Sequence, residues 1–190
     1  MALPASNRTY TYSDYLSWDE SERIELINGQ PLMQSAPSRA HQEISGELFN
    51  QLKNFLRGKP CRVYAAPFAV RLFESDQDSP EDVQTIVEPD ISVVCEPEKL
   101  DDKGCKGAPT FIAEVLSPST ERADRFLKLN EYQRAGVREY WIIDPNAKSV
   151  ADYVLQDGRF SLHAYYDDGD TVEVSSLNGC QINLNALFDF

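Results

Sequence analysis

Apolar residues along this chain follow two rhythms. Within residues 38–57, Ile44, Leu48, Leu52, Phe55 and Leu56 recur at the helical period with polar residues between them, which predicts an amphipathic helix. Ser38 is placed to cap its start, and Gly58 with Pro60 to stop it. A second helix is expected from the capping hydroxyls of Ser117, Ser119 and Thr120 to about Ala135, ended by Gly136. The remaining apolar runs have the spacing of strands. Two of them flank Asn28-Gly29, predicting a hairpin with a type I′ turn, and Pro31 assigns its strand to a sheet edge. Residues 61–73 read as one strand bent at Pro67, and residues 85–94 as another broken at Pro89. Residues 110–116 are apolar but for Glu114, the pattern of a strand buried on both faces. Residues 137–143 form the next strand. A meander of short strands over 149–182 and a short terminal helix or turn over 183–188 complete the chain. The aromatic lead-in at 10–18 reads as partly helical, and 74–84 as a solvated loop.

No repeat, linker or low-complexity block divides these elements, so residues 1–190 are expected to form one domain. Nothing approaches the roughly 20 apolar residues of a membrane span, and the first ten residues lack the apolar core of a secretory signal. Cys61, Cys95, Cys105 and Cys180 form no close CxxC pair, and only His41 and His163 could join them in a zinc site. Reduced thiols in a cytoplasmic protein are the simpler expectation, with a Cys95–Cys105 bridge as the alternative. The formal net charge is -13, the wrong sign for a protein that grips nucleic acid over its whole surface. Either the acids are segregated from a local basic groove, or the chain does not bind nucleic acid by itself.

Glu114 raises the chemical question. A carboxylate inside a buried strand needs a cation, a proton or a metal as its partner. Asp90 follows Pro89 at a strand start, where its side chain can be aimed off the sheet. Asp124, Lys128 and Tyr132 recur every four residues on the second helix and share one stripe. Two converging carboxylates make a hard-oxygen site suited to Mg²⁺ or Mn²⁺, and a nearby lysine orients water and offsets charge in a phosphoryl transition state. Each residue also has a plainer reading. Glu114 could pair with Arg122 or Arg138, Asp90 could cap a backbone amide, and Asp124 with Lys128 could be a surface pair. Glu25 could face solvent or approach the metal from the hairpin, and His41 could be a cap neighbour or a general base. The polar segment 96–109 is expected to be a mobile loop beside the site.

The ordered set Pro89-Asp90, Glu114-Val115-Leu116-Ser117-Pro118-Ser119-Thr120, Asp124, Lys128, Tyr132, Gly136-Val137 and Glu139-Tyr140-Trp141-Ile142-Ile143-Asp144-Pro145 resembles the Uma-type restriction endonucleases of the PD-(D/E)XK nuclease superfamily. Glu25-Leu26-Ile27-Asn28-Gly29 and His41-Gln42 extend the resemblance over nearly the whole chain. It implies an α/β (α+β) fold with a restriction-endonuclease-like core, a mixed sheet flanked by helices, here with an N-terminal hairpin and a C-terminal β-meander. It also implies Asp90 and Glu114 as metal ligands. The superfamily's usual lysine lies two residues after the second acid, where this chain has Leu116, so the resemblance moves that role to Lys128 and makes Asp124 auxiliary, with Glu25, His41 and Tyr132 beside it. The resulting expectation is a Mg²⁺-dependent endonuclease acting on duplex DNA, perhaps paired as a homodimer to cut both strands. A catalytically silent binding module on the same scaffold is the alternative, and a structural protein with a meaningless acidic surface is a third.

Overall fold

The computed structural model describes residues 8–19 and 23–190. Part of the leader expectation falls on residues 1–7, outside the described residues. In chain order the elements are α1 (Tyr12–Tyr15), the hairpin β1 (Ile24–Ile27) and β2 (Gln30–Met33), the long helix α2 (Arg39–Leu56), β3 (Arg62–Ala65), β4 (Val70–Arg71), β5 (Ile86–Val87) and β6 (Ile91–Val94). A second hairpin, β7 (Leu100–Asp101) with β8 (Gly104–Lys106), precedes β9 (Phe111–Val115). Helix α3 follows, a π-helical segment Ala123–Lys128 running into α-helix Leu129–Ala135. Then come β10 (Glu139–Asp144), β11 (Ser149–Gln156), β12 (Arg159–Asp167), β13 (Thr171–Glu173), β14 (Gln181–Asn183) and α4 (Leu184–Leu187).

Among the described residues the strands build two six-stranded sheets, both mixed, and a ribbon, so the expected mixed sheet is present with a second beside it. The larger sheet runs β12-β11-β10-β9-β6-β3, and the second β2-β1-β5-β4-β8-β7. Strands β9 and β10 are parallel and joined by α3; the other pairs of the larger sheet are antiparallel. One face of this sheet packs on α2 through Ile44, Leu48, Leu52, Phe111, Ala113 and Trp141. The opposite face meets both α3 and the second sheet, with Ile112, Tyr132, Tyr140, Ile142, Val70 and Val87 sharing one cluster. Burial on both faces explains why β9 and β10 read as nearly continuous apolar runs.

The two predicted strands with a proline in mid-run, at Pro67 and Pro89, divide between the sheets. Residues 61–73 become β3 in one sheet and β4 in the other, parted at a cis Ala66–Pro67 bond. Residues 85–94 likewise split at Pro89 into β5 and β6. Proline cannot donate to a ladder, so each one marks a place where the chain leaves a sheet. Segment 96–109 is ordered as a 3₁₀ turn and the β7–β8 hairpin, with Cys105 and Ala108 buried, and it lines none of the hollows around the acids. The meander also departs from expectation, since β13 leaves the sheet to pair with β14. The hairpin turns hold: Asn28 and Gly29 have φ of 50° and 73°, and Asp157-Gly158 repeats the device between β11 and β12. Pro31 lies on the edge strand, as expected.

The cysteines correct the reduced-thiol expectation. Cys61 and Cys95 form a disulfide, their Cα atoms 3.9 Å apart beside the β3–β6 pair Arg62 and Val94. Register brings them together, which 34 residues of sequence separation concealed. Cys105 is free and buried, away from Cys95, and burial pushes its thiol up to about 12. No described helix is long and apolar enough to cross a membrane.

Candidate functional site

Strand register places the two principal acids. Ile91 pairs with Ala113 across β6 and β9, so Asp90 and Glu114 stand at the next rung. The Asp90 amide donates to Glu114 Oε2 at 3.3 Å, and Asp90 Oδ2 accepts from the Val115 amide at 2.8 Å. The backbone-capping reading of Asp90 is therefore present alongside its proximity to Glu114. The N-terminus of α2 reaches the same corner: Ser38 caps the His41 amide at 3.2 Å, while His41 Nε2 lies 3.0 Å from Asp90 Oδ2. His41 is both a cap neighbour and a site contact.

Helix α3 crosses Glu114 and supplies its partners. Lys128 Nζ lies 3.0 Å from Glu114 Oε1, 2.9 Å from Glu25 Oε2 and 3.4 Å from Asp124 Oδ1. Tyr132 donates its hydroxyl to Glu114 Oε1 at 2.7 Å. The π segment explains why this stripe is so straight. Four residues of α-helix overshoot a full turn by about 40°, whereas the wider π turn falls short of one. Asp124 to Lys128 spans the π segment and Lys128 to Tyr132 the α segment, so the two drifts oppose each other.

The structure replaces three plain readings. Asp124 and Lys128 are no surface pair, since each is 1% exposed. Glu25 does not face solvent: it is fully buried, held by Lys128, the Glu88 amide at 2.9 Å and the Gln34 amide group. Glu114 pairs with Lys128 in place of Arg122 or Arg138; Arg138 lies by Glu96 instead. The sequence reading also missed Gln34, the Glu88 amide and Tyr140, whose hydroxyl donates to the Asp124 carbonyl at 3.2 Å. Only the Glu88-Pro89-Asp90 run gave any signal of these.

Carboxylates exceed cations in this cluster, and the titration of the group follows from that. Burial is the largest cause raising Glu114 well above the usual carboxylate range; Lys128 opposes it, and Asp124, Asp90 and Glu25 reinforce it. Asp124 is also raised, first by burial. For Lys128 burial is the largest single cause and acts downward, but Glu114, Glu25 and Asp124 together raise it well above its ordinary value. The cluster thus favours the ammonium form of Lys128 and pushes Glu114, and less strongly Asp124, toward the protonated form. One Asp124 oxygen is buried without a hydrogen-bond partner. Asp90 and Glu114 line a small hollow of about 30 Å³ together with Asp124, Lys128 and His41. It shares Arg23, His41, Glu88 and Asp90 with a neighbouring groove of about 730 Å³.

Among the described residues no group of three or more His, Cys, Asp or Glu is arranged to hold an ion. Mg²⁺, however, usually takes only one or two carboxylates and keeps several waters. Glu114 Oε1 is taken by Lys128 and Tyr132 and Asp90 Oδ2 by Val115 and His41. Glu114 Oε2, which accepts only the Asp90 amide at 3.3 Å, and Asp90 Oδ1 remain as hard-oxygen donors, and the residues fit the ion in kind.

The mixed α+β fold, with acids converging at the end of a buried strand pair, is a nuclease-like fold. The Uma2 family model, described as "Putative restriction endonuclease", matches residues 12–185, and the chain belongs to that family. The chain is also similar to the uncharacterized protein slr1290 of Synechocystis, 27% identical over 86% of this chain and 84% of that protein. Its fold matches a crystal structure from Anabaena variabilis described as a "putative nuclease belonging to DUF820", with TM-score 0.71 and 21% identity over 94% of this chain and 97% of that one.

Proposed function

We propose that this protein is a Mg²⁺-dependent endonuclease that hydrolyses phosphodiester bonds of DNA, with Asp90 and Glu114 as the metal ligands and Lys128 as the assisting cation. The observation that carries this reading is the surplus of buried carboxylates around a single ammonium, opening at Asp90 onto a groove. Such a surplus is costly unless another cation joins it. A divalent ion bound there would polarise a phosphoryl oxygen and lower the pKa of a bound water.

The chain's own residues have separable tasks in this proposal. The Val115 amide and His41 fix the orientation of Asp90. Tyr132 and Lys128 occupy one oxygen of Glu114 and turn the other toward Asp90. Glu25 and Asp124 steady the Lys128 ammonium and hold it protonated. Lys128 therefore acts by orienting the attacking water and offsetting transition-state charge, and not as the base.

The test is nicking of supercoiled plasmid. Wild type should nick only with Mg²⁺ or Mn²⁺, and Asp90→Asn, Glu114→Gln and Lys128→Ala should each lose at least about 10²-fold in rate while remaining folded. Nicking that survives in all three variants would refute the assignment. One observation favours a second reading, a silent nuclease-fold binding module: Lys128 already neutralises part of the acid cluster from within. On that reading calorimetry would detect no Mg²⁺ or Mn²⁺ binding by wild type.

A further inference from the structure

The groove beside the acids does not end at them. Its floor is one face of α2, formed by His41, Gln42, Ser45, Gly46 and Phe49. The same helical stripe continues through Lys53, and Arg57 follows four residues on at the C-cap of α2. These two line a second hollow of about 140 Å³ with Arg62. The far wall also follows one stretch of chain, since Ala65 and Pro67 bound the first hollow and Arg62 and Val63 the second, although no residue lines both. The two hollows are successive stations of a trough along the seam between α2 and β3, the edge strand of the larger sheet. Lys53 and Arg57 stand about 18 and 24 Å along the helix from His41, at 1.5 Å per residue.

The trough is polarised in charge and open in shape. At one end lie Glu88 and Asp90. At the other lie Lys53, Arg57 and Arg62, with Lys59 nearby in sequence over the Phe55 ring, and no carboxylate pairs with any of the four among the described residues. This is a dense basic patch in a chain of net charge -13. Midway, a Cβ on Gly46 would meet nothing within 4 Å. No internal contact requires glycine there, although it weakens a helix. With Ser45, Ala65 and Ala66 it keeps the middle shallow.

We propose that this trough is the track for one nucleic-acid strand, with a phosphate held at the Lys53–Arg57–Arg62 end and the strand running on to the acids around Asp90. The proposal rests on the nuclease reading and extends it to substrate placement. The span corresponds to about five to seven steps of a strand rising 3.4 Å each. Anionic backbone suits the basic end, and small residues between leave room for sugar and base.

Binding, measured apart from cleavage, tests it. Fluorescence anisotropy of a labelled DNA single strand and of its duplex is followed in EDTA and in Ca²⁺. Lys53→Ala/Arg57→Ala should weaken binding about tenfold and lower the salt slope by about two. Gly46→Leu should weaken binding with little change of slope, in a protein at least as resistant to urea as wild type. Wild-type affinity in both variants would overturn the proposal, as would a wild type that binds neither DNA. Equal capture of a polyglutamate peptide, lost in the same variants, would reassign the trough to an acidic protein partner. Metal-dependent plasmid nicking reports on the acid cluster separately: nicking with unaltered binding by the trough variants refutes the track alone.

Discussion

At the scale of single residues, Lys128 decides how the site behaves. Its ammonium is buried against Glu25, Glu114 and Asp124, so Lys128→Met leaves three acids without their cation. The expected cost in urea unfolding is about 3–5 kcal/mol. Glu114 sets the pH dependence. Its carboxyl binds a proton more tightly in the folded protein than in the unfolded chain. The metal-free protein should therefore lose stability as pH rises from about 4.3, the unfolded glutamate value, through the raised folded value. Glu114→Gln should flatten that decline in a series of urea titrations; an unchanged slope would show that Glu114 is not the raised acid responsible. The candidates Asp90, Glu114, Asp124, Lys128 and Tyr132 were legible because strand patterning and four-residue spacing mark them. Burial of Glu25 was not legible, because a hairpin in sequence does not reveal what covers it.

At the scale of elements, α2 carries the clearest prediction. Gly46 lies in mid-helix with open space where a Cβ would go. Gly46→Ala should then stabilise the protein by about 0.5–1 kcal/mol, read from the urea midpoint. Both long helices were legible: Ser38 caps α2, and Gly136 closes α3 with φ of 89°. The π segment within α3 was not, since its residues have no composition that separates them from α-helix. It appears where Asp124 and Lys128 must both turn inward. The prolines of segments 61–73 and 85–94 announced breaks, yet gave no sign that the two halves of each would enter different sheets.

At the scale of the whole molecule, acids hold parts together as well as repel one another. Glu139 accepts the Ser175 amide at 3.2 Å and the Ser176 amide, fastening the β13–β14 ribbon to β10. Beside it Asp152 is buried with both oxygens unbonded, and burial, then Glu139, push it up to about 7. This too is a raised acid, so it costs stability as pH climbs through neutrality. Asp152→Asn should raise the thermal midpoint at pH 8 more than at pH 5; the reverse order would show the pair to be stabilising as an anion. A net charge of -13 argued against nucleic acid only when spread evenly. Lys53, Arg57 and Arg62 are close together in sequence; their place on the same α2–β3 seam as Asp90 is a three-dimensional fact.

What the amino-acid sequence determined by itself is everything local or periodic: two helices with their caps, the I′ hairpin, the buried strand with its one acid, and the spacing on α3. Those follow from short-range sterics and from the period of burial, which a linear string preserves. The tertiary structure alone decided the division into two sheets, the Cys61–Cys95 bond, the burial of Glu25 and the alignment of two hollows along the seam of α2 with β3. Each depends on contacts between residues far apart in the chain, where the deciding energy is burial against a neighbour that no local pattern identifies.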